Sequence, residues 1–338
     1  MQSERPEAQP RTPLVRPLQL GPERLANNLV LAPMAGVTNL PFRLIARQAG
    51  ASLVFTETVS AKGLTRGGAK SWRLVESTPA EQPLAYQIFG GEPGPVGEAT
   101  RLLADRGARF IDLNVGCPVK KFLKHGAGAC LLREPPKVAP LVSAMRRALP
   151  HGVVSVKVRL GWDQGSFTAP EVVRIAEAEG ADFASVHGRT RAQLYRGHAD
   201  RERIAQVVDA VRMPVLANGD VVRPGDALEM LEQTRAAGVM IGRGAMQRPW
   251  IFTQIIEQDS GRKRPEPTAA QRAELVERHL GLMLRYFDEH SAVHMLKKYL
   301  CAYASGMSGA SAFRERVNRA QQLDSVVDDA RAFFGVAA

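Results

Sequence analysis

Cysteine is scarce: Cys117, Cys130 and Cys301 are the only three in 338 residues. Their spacing fits neither a disulfide framework nor a zinc site, so any special cysteine here is a free thiol, and a reducing, cytoplasmic setting is expected. Long apolar runs are missing too. No stretch approaches the roughly 18 residues that a membrane span needs, which argues against a membrane protein. The first residues lack the apolar core of a signal peptide; with Pro6, Pro10, Pro13, Pro17 and Pro22 beside Glu4 and Glu7, residues 1–24 read as a disordered leader. Acidic residues are outnumbered, 34 against 45 Lys and Arg, a formal net charge of +11. That excess either draws a polyanion such as nucleic acid or reflects an arginine-rich coding bias; charge alone leaves both open.

Short β-rich segments recur at intervals of roughly thirty residues, each followed by a stretch of helical periodicity. They are "NLVLAPMAG" (28–36), "SLVFTETVS" (52–60), "PLAYQIFG" (83–90), "FIDLNVGCP" (110–118), "VVSVKVRLG" (153–161), "FASVHGRT" (183–190), "PVLANGDV" (214–221) and "GVMIGRGA" (238–245). β/α units repeated in this way predict a (β/α)8 TIM barrel. A doubly wound sheet is the rival, but its usual opening glycine fingerprint is absent from "APMAGVT". The barrel is expected over residues 25–259 and a linker over 260–268. Residues 269–338 then form a small C-terminal all-helical domain of three or four helices.

Alternation along the strands sorts their side chains. In "VVSVKVRLG" Val154, Val156, Val158 and Leu160 form one apolar row, so Ser155, Lys157 and Arg159 share the other, inward face. The same parity turns Gln87, Asp112, Asn114, His187, Arg189, Asn218 and Asp220 inward. All lie near C-terminal strand ends, where barrels build their active sites. A buried lysine without a partner is costly, so Lys157 beside Gln87, His187 and Asn218 implies a polar or anionic ligand. Loops after strands seven and eight commonly bind phosphate in barrels. "NGD" (218–220) and "IGRGAM" (241–246) occupy them, with Gly219, Gly242, Gly244 and Arg243 suited to a phosphorylated cofactor such as FMN.

The motifs "LAPMAGVTNLPFR", "YQIFGGEP", "IDLNVGCPVKK…GAGACLL", "VKVRLGW", "VHGRTRAQLYRGHAD", "PVLANGDV" and "IGRGAMQRPWIF" span nearly all of residues 29–252. Together the chain resembles the bacterial tRNA-dihydrouridine synthases, particularly their B-type branch, and "LKKYLCAYASGMSGASAFRERVNRA" is similar to that family's helical RNA-binding domain. It departs from the usual pattern at Thr56, Glu57 and Thr58 and at Val115. The resemblance implies an enzyme that uses FMN and NADPH to reduce the C5–C6 double bond of particular uridines in tRNA; separately, no metal is expected, and a monomer is expected although the sequence does not reveal the oligomeric state. The resemblance also implies that Pro33, Met34 and Ala35 pack along the flavin, that Gln87 bonds its ring and that Lys157 faces its N1/O2 edge. His187 would lie by the ring or phosphate; Asn218, Gly219, Asp220, Gly242 and Arg243 would hold the phosphate.

Cys117 would be the proton donor in that scheme. A thiol with a reference pKa of about 8.5 is mainly protonated near neutral pH. Gly116 is expected to give a base room to approach, and Pro118 to end the strand. Lys62, Arg66 and Lys70, then Lys120, Lys121 and Lys124, then Arg191, Tyr195 and Arg196 are expected around the rim. Lys297, Lys298, Arg314, Arg316 and Arg319 add a second basic surface on the tail, and both would meet RNA phosphates. Two rivals remain: an FMN barrel reducing a free pyrimidine or other small molecule, which would not need the basic tail, and an RNA-binding module with a degenerate barrel.

Overall fold

The computed structural model describes residues 12–119 and 126–335. Two short strands, β1 (Leu18–Leu20) and β2 (Glu23–Leu25), form an antiparallel hairpin. The main sheet holds β3 (Leu29–Leu31), β4 (Val54–Phe55), β5 (Val59–Ser60), β6 (Leu84–Phe89), β7 (Phe110–Val115), β8 (Val153–Arg159), β9 (Phe183–His187), β10 (Val215–Asn218) and β11 (Gly238–Ile241). These pair in parallel in the order β3-β11-β10-β9-β8-β7-β6-β4, while β5 pairs with the far end of β6 as a second piece of the β4 stave. Val30 bridges Leu53, and the Leu31 N–H reaches the Leu53 carbonyl at 2.9 Å, which closes the cylinder. The fold is a TIM barrel followed by helices, as the repeated β/α pattern requires.

Inside the barrel the side chains are graded from bottom to top. Phe55, Phe110, Val153, Phe183, Leu216 and Met240 fill the lower interior, whereas Asp112, Ser155, Lys157, His187 and Asn218 occupy successive inward positions higher up the strands. Register sets this layering: Gln87 lies opposite Asp112, Asn114 opposite Lys157, and Asn218 opposite His187. The outward valines 154, 156 and 158 belong instead to the layer between strands and helices.

One expectation needs correction. Part of the region read as a disordered leader is ordered: in β1 and β2, Leu18, Leu20 and Leu25 are buried against Phe110, Val153 and Phe183 and plug the barrel floor. Asn28 and Asp259 anchor the preceding stretch, Asn28 donating to the Leu14 carbonyl at 3.0 Å and Asp259 accepting from the Val15 N–H at 2.8 Å. The hydrophobic effect overrides the proline content there, because the open bottom of a barrel exposes apolar side chains that some segment must cover. Residues 1–11 lie outside the described residues.

Beyond the barrel, Glu266 binds Trp250 Nε1 at 3.2 Å and Arg248 at 3.3 Å, tying residues 260–268 to the body. A capping box between Thr268 and Gln271 then starts the helix Ala269–Tyr286. The helices Glu289–Tyr303, Ala310–Arg319 and Leu323–Phe334 follow. The bundle docks on the barrel helix Leu40–Gln48, where Phe42 stacks on Tyr299 with ring centroids 5.3 Å apart.

Candidate active site

A cavity of about 420 Å³ opens at the C-terminal rim of the barrel, within the size range of small-molecule and cofactor sites. Every residue that the sequence assigned to catalysis or to the cofactor lines it: Pro33, Met34 and Ala35 after β3, Gln87 on β6, Cys117 after β7, Lys157 on β8, His187 on β9, Asn218, Gly219 and Asp220 on and after β10, and Gly242 and Arg243 after β11.

A chain of hydrogen bonds builds the floor. Buried Asp112 accepts from Ser155 Oγ at 2.6 Å and from Gln87 Nε2 at 2.8 Å. The Gln87 Oε1 accepts from Asn114 Nδ2 at 2.8 Å, and Asn114 Oδ1 accepts from the backbone N–H of Gly116 (3.1 Å) and Cys117 (2.9 Å). The relay fixes the amide orientations of Gln87 and Asn114 and holds the start of the cysteine loop. Burial pushes the Asp112 carboxyl up to about 6, against the opposing pull of Ser155, Gln87 and Lys157.

The Cys117 loop is braced from behind as well. The Ala129 N–H donates to the Cys117 carbonyl at 3.1 Å, and Gly128, at φ +61°, comes so close that a Cβ there would lie 2.9 Å from that oxygen. Gly116 lines the cavity and is also pressed against β8. A Cβ on it would meet the Val158 carbonyl carbon and the Arg159 backbone nitrogen and Cγ at 3.2 Å, so its lack of a side chain also serves packing against that strand. Burial raises the pKa of the Cys117 thiol, outweighing the Val119 N–H and the charges of Arg159 and Lys157, so the thiol carries its proton at neutral pH.

Lys157 donates to Asn218 Oδ1 at 3.3 Å. Its pKa is lowered to about 8 by burial first and by the Arg159 charge second, against Asp112 and Cys117. His187 is held well below the usual histidine range by burial, then by Lys157, Arg159, Arg189 and Arg243, and is a neutral imidazole. The cavity therefore presents a cation, a protonated thiol and a neutral ring.

Two of the expected phosphate ligands are already engaged. Asn218 Nδ2 donates to the Met240 carbonyl at 2.7 Å while its oxygen takes Lys157, so it orients the lysine. The Asp220 carboxylate binds buried Arg189 and the Ala199 N–H, each at 2.7 Å, with Arg243 at 3.5 Å. Burial of Asp220 is outweighed by these partners, and its pKa is depressed. That leaves Gly219, Gly242 and Arg243 as groups able to meet an anion. A Cβ on Gly219 would clash with Ala199 Cβ at 2.5 Å, so the close approach there requires glycine.

Sequence reasoning turned Asn114 and Arg159 inward without assigning them to the site, and placed Tyr195 only on the rim. Arg159 is buried, donates to the carbonyls of Thr190 and Leu194 at 2.9 Å, and lines the cavity. Tyr195 is exposed at the mouth with Arg243 over its ring at 4.5 Å. Parity signalled Asn114 and Arg159; nothing local signalled that Tyr195 would fold over His187, 6.4 Å between ring centroids.

Several of the basic groups expected to meet RNA have partners within the protein. Lys62 pairs with Glu92 at 2.6 Å, and Arg191 lies over the Trp162 ring at 4.4 Å. Lys120, Lys121 and Lys124 lie outside the described residues. On the tail, Lys297 donates to the carbonyls of Asn318 (3.4 Å) and Ala320, and Lys298 to that of Gly36. Arg316 pairs with Asp329 at 2.8 Å and Arg319 with Glu315 at 2.7 Å.

The dihydrouridine synthase (Dus) family model matches residues 30–336. The chain belongs to the dihydrouridine synthase family. It is 37% identical over 318 residues to tRNA-dihydrouridine synthase B of Pseudomonas aeruginosa, covering 94% of this chain and 96% of that protein. A probable tRNA-dihydrouridine synthase of Rickettsia bellii is 36% identical over 319 residues, 94% and 98% of the two chains. Among solved structures, the old yellow enzyme homologue of Zymomonas mobilis superimposes with a TM-score of 0.55 at 12% identity, covering 76% of this chain and 95% of that one. Histamine dehydrogenase from Rhizobium sp. 4-9 gives a TM-score of 0.59 at 13% identity over 80% and 51% of the two chains. These two likenesses concern the barrel fold. Family membership makes the chain a synthase of dihydrouridine, and the B-type resemblance read from its motifs agrees with the P. aeruginosa relative.

Proposed function

We propose that this dihydrouridine synthase acts on tRNA in the cytoplasm as a monomer, with FMN held in the barrel mouth and NADPH as reductant, converting the C5–C6 double bond of chosen uridines to a single bond. The observation that carries the reading is that Cys117 and Lys157 face one cavity, the ammonium hydrogen-bonded to an amide rather than neutralised by a carboxylate.

The donor set suits FMN. Pro33, Met34 and Ala35 offer an apolar flank, Gln87 an oriented amide, and Lys157 a cation for the electron-rich N1/O2 edge. Gly219 and Gly242 leave room at the backbone for the phosphate, and Arg243 supplies the fork of donors. Asp220 contributes by bracing Arg189 and Arg243, since its own carboxylate would repel a phosphate.

When bound, FMN supplies the hydride, drawn from NADPH, that uracil accepts at C6. Conjugation with the C4 carbonyl makes that addition feasible and gathers negative charge toward C5. Cys117 Sγ holds the proton that C5 takes, and the thiolate left behind is reprotonated from solvent. Burial keeps the thiol loaded with its proton between turnovers. The uridine must leave its stack to enter the mouth, and Tyr195 and Arg243 stand where the flanking backbone would pass.

The test gives the purified protein NADPH and FMN with either unmodified tRNA or free uridine. Dihydrouridine is expected in tRNA alone. Comparable reduction of free uridine would replace this reading with that of a small-molecule reductase. Mapping dihydrouridine in tRNA from a strain lacking the gene then identifies the positions modified.

A further inference from the structure

The tail helix Glu289–Tyr303 reaches the rim of the cavity. Lys298 Nζ donates to the Gly36 carbonyl and the Tyr299 hydroxyl to the Val37 carbonyl. The Gly36 N–H donates to Glu57 Oε2, so one glycine is gripped from both sides by groups of opposite charge. Gly36 sits at φ +70°, and its carbonyl is the hinge of a tight turn in which the N–H groups of Val37 and Thr38 both donate to the Met34 carbonyl at 3.0 Å. Met34, Ala35 and Val37 of this turn line the cavity.

Tyr299 cannot swing away. Its ring is buried between Phe42 and His279, whose centroids lie 5.3 and 4.4 Å from its own, so the hydroxyl is aimed by packing. The same helix also packs against Arg243–Gln247, the segment that carries Arg243. One tail helix therefore braces both flanks of the cavity. Lys298, counted by sequence among RNA-facing charges, is half-buried, and burial lowers its pKa against the pull of Glu57.

We infer that Lys298 and Tyr299 are positioning residues of the cofactor cavity, holding the Met34–Val37 turn so that the helical tail sets how tightly the barrel binds its flavin. This rests on the FMN reading above. It gives the tail a second task besides RNA, and it moves Lys298 from the phosphate-contacting set to the cavity wall.

The test titrates FMN into full-length apoprotein of the wild type, Lys298→Met, Lys298→Arg and Tyr299→Phe, following flavin fluorescence and the flavin absorption spectrum. tRNA affinity is measured in parallel across a salt series, and apoprotein melting serves as the folding control. Losing a hydrogen bond that orders the turn is expected to weaken FMN binding roughly tenfold in Lys298→Met and roughly fivefold in Tyr299→Phe, with altered flavin spectra, partial recovery in Lys298→Arg and an unchanged salt slope for tRNA. A Lys298→Met protein that keeps wild-type FMN affinity while its salt slope drops by about 1 would overturn the inference and return Lys298 to RNA contact. Unchanged FMN affinity in both Lys298→Met and Tyr299→Phe would overturn it too. Should Lys298→Met not fold, Tyr299→Phe keeps the ring packing and decides alone. A wild type that binds no FMN would sink the functional reading and this inference with it, whereas wild-type binding with indifferent variants sinks only the inference.

Discussion

The barrel mouth and the helical tail are both rich in basic side chains, and they use them in opposite ways. In the tail, Lys297 sits on the carbonyls of Asn318 and Ala320, Arg314 on that of Cys301 at 3.1 Å, and Arg316 and Arg319 on the carboxylates of Asp329 and Glu315. Lys297, Arg314 and Arg316 thereby join neighbouring helices of the bundle, while Arg319 pairs within its own exposed helix. In the mouth, Lys157 is oriented by an amide and Arg243 leans on Tyr195, both lining an open cavity. A net charge counts potential, whereas function depends on which charges still have donors to offer.

The largest effect is expected at Cys117. Cys117→Ala should bind FMN as the wild type does and be reduced by NADPH at the same rate, yet lose dihydrouridine formation by about 10²-fold or more; unchanged turnover on tRNA would remove the acid role. Next is Lys157→Met, expected to weaken FMN binding or slow flavin reduction by about ten- to a hundredfold. The sign of its pH dependence follows from a pKa lowered to about 8: the ammonium is present below that value and lost above it. Wild-type FMN affinity, measured by titration of apoprotein, should therefore decline as pH rises through 8, and Lys157→Met should abolish that decline.

Asn114→Ala tests the relay behind the cysteine. It removes the acceptor for the Gly116 and Cys117 N–H groups and should lower turnover roughly tenfold, with a smaller change in FMN affinity; equal losses in both would mean the relay serves the whole floor. The smallest effect belongs to the tail. Arg319→Ala, at an exposed pair one helical turn from Glu315, should change tRNA affinity by no more than about twofold. A fall in the salt slope by about 1 would restore Arg319 to the RNA surface.

The barrel and the inward side chains of its strands were legible because strand parity is a local signal, whereas Pro33, Met34, Ala35 and the role of Cys117 came from the family resemblance. "VVSVKVRLG" alone separates the outward valines from Lys157 and Arg159, and the same alternation finds His187 and Asn218. What was not legible depends on partners far along the chain. Asn218 is occupied because Met240 and Lys157 come beside it, and Asp220 because Arg189 and Ala199 do. Gly116 lies so near β8, some forty residues away in sequence, that a Cβ on it would be 3.2 Å from Val158 and Arg159. Strands β1 and β2 escaped notice because three residues each are too few to show a period, although Leu18, Leu20 and Leu25 are the residues that count.

That leucine stopper has a kinetic consequence under the proposed chemistry. With the floor filled by these leucines, the dinucleotide and the pyrimidine of that chemistry would both reach the cavity through the mouth, and each would have to vacate before the other entered. Steady-state rates taken at several fixed levels of one substrate should then plot as parallel double-reciprocal lines, the mark of two visitors that never meet.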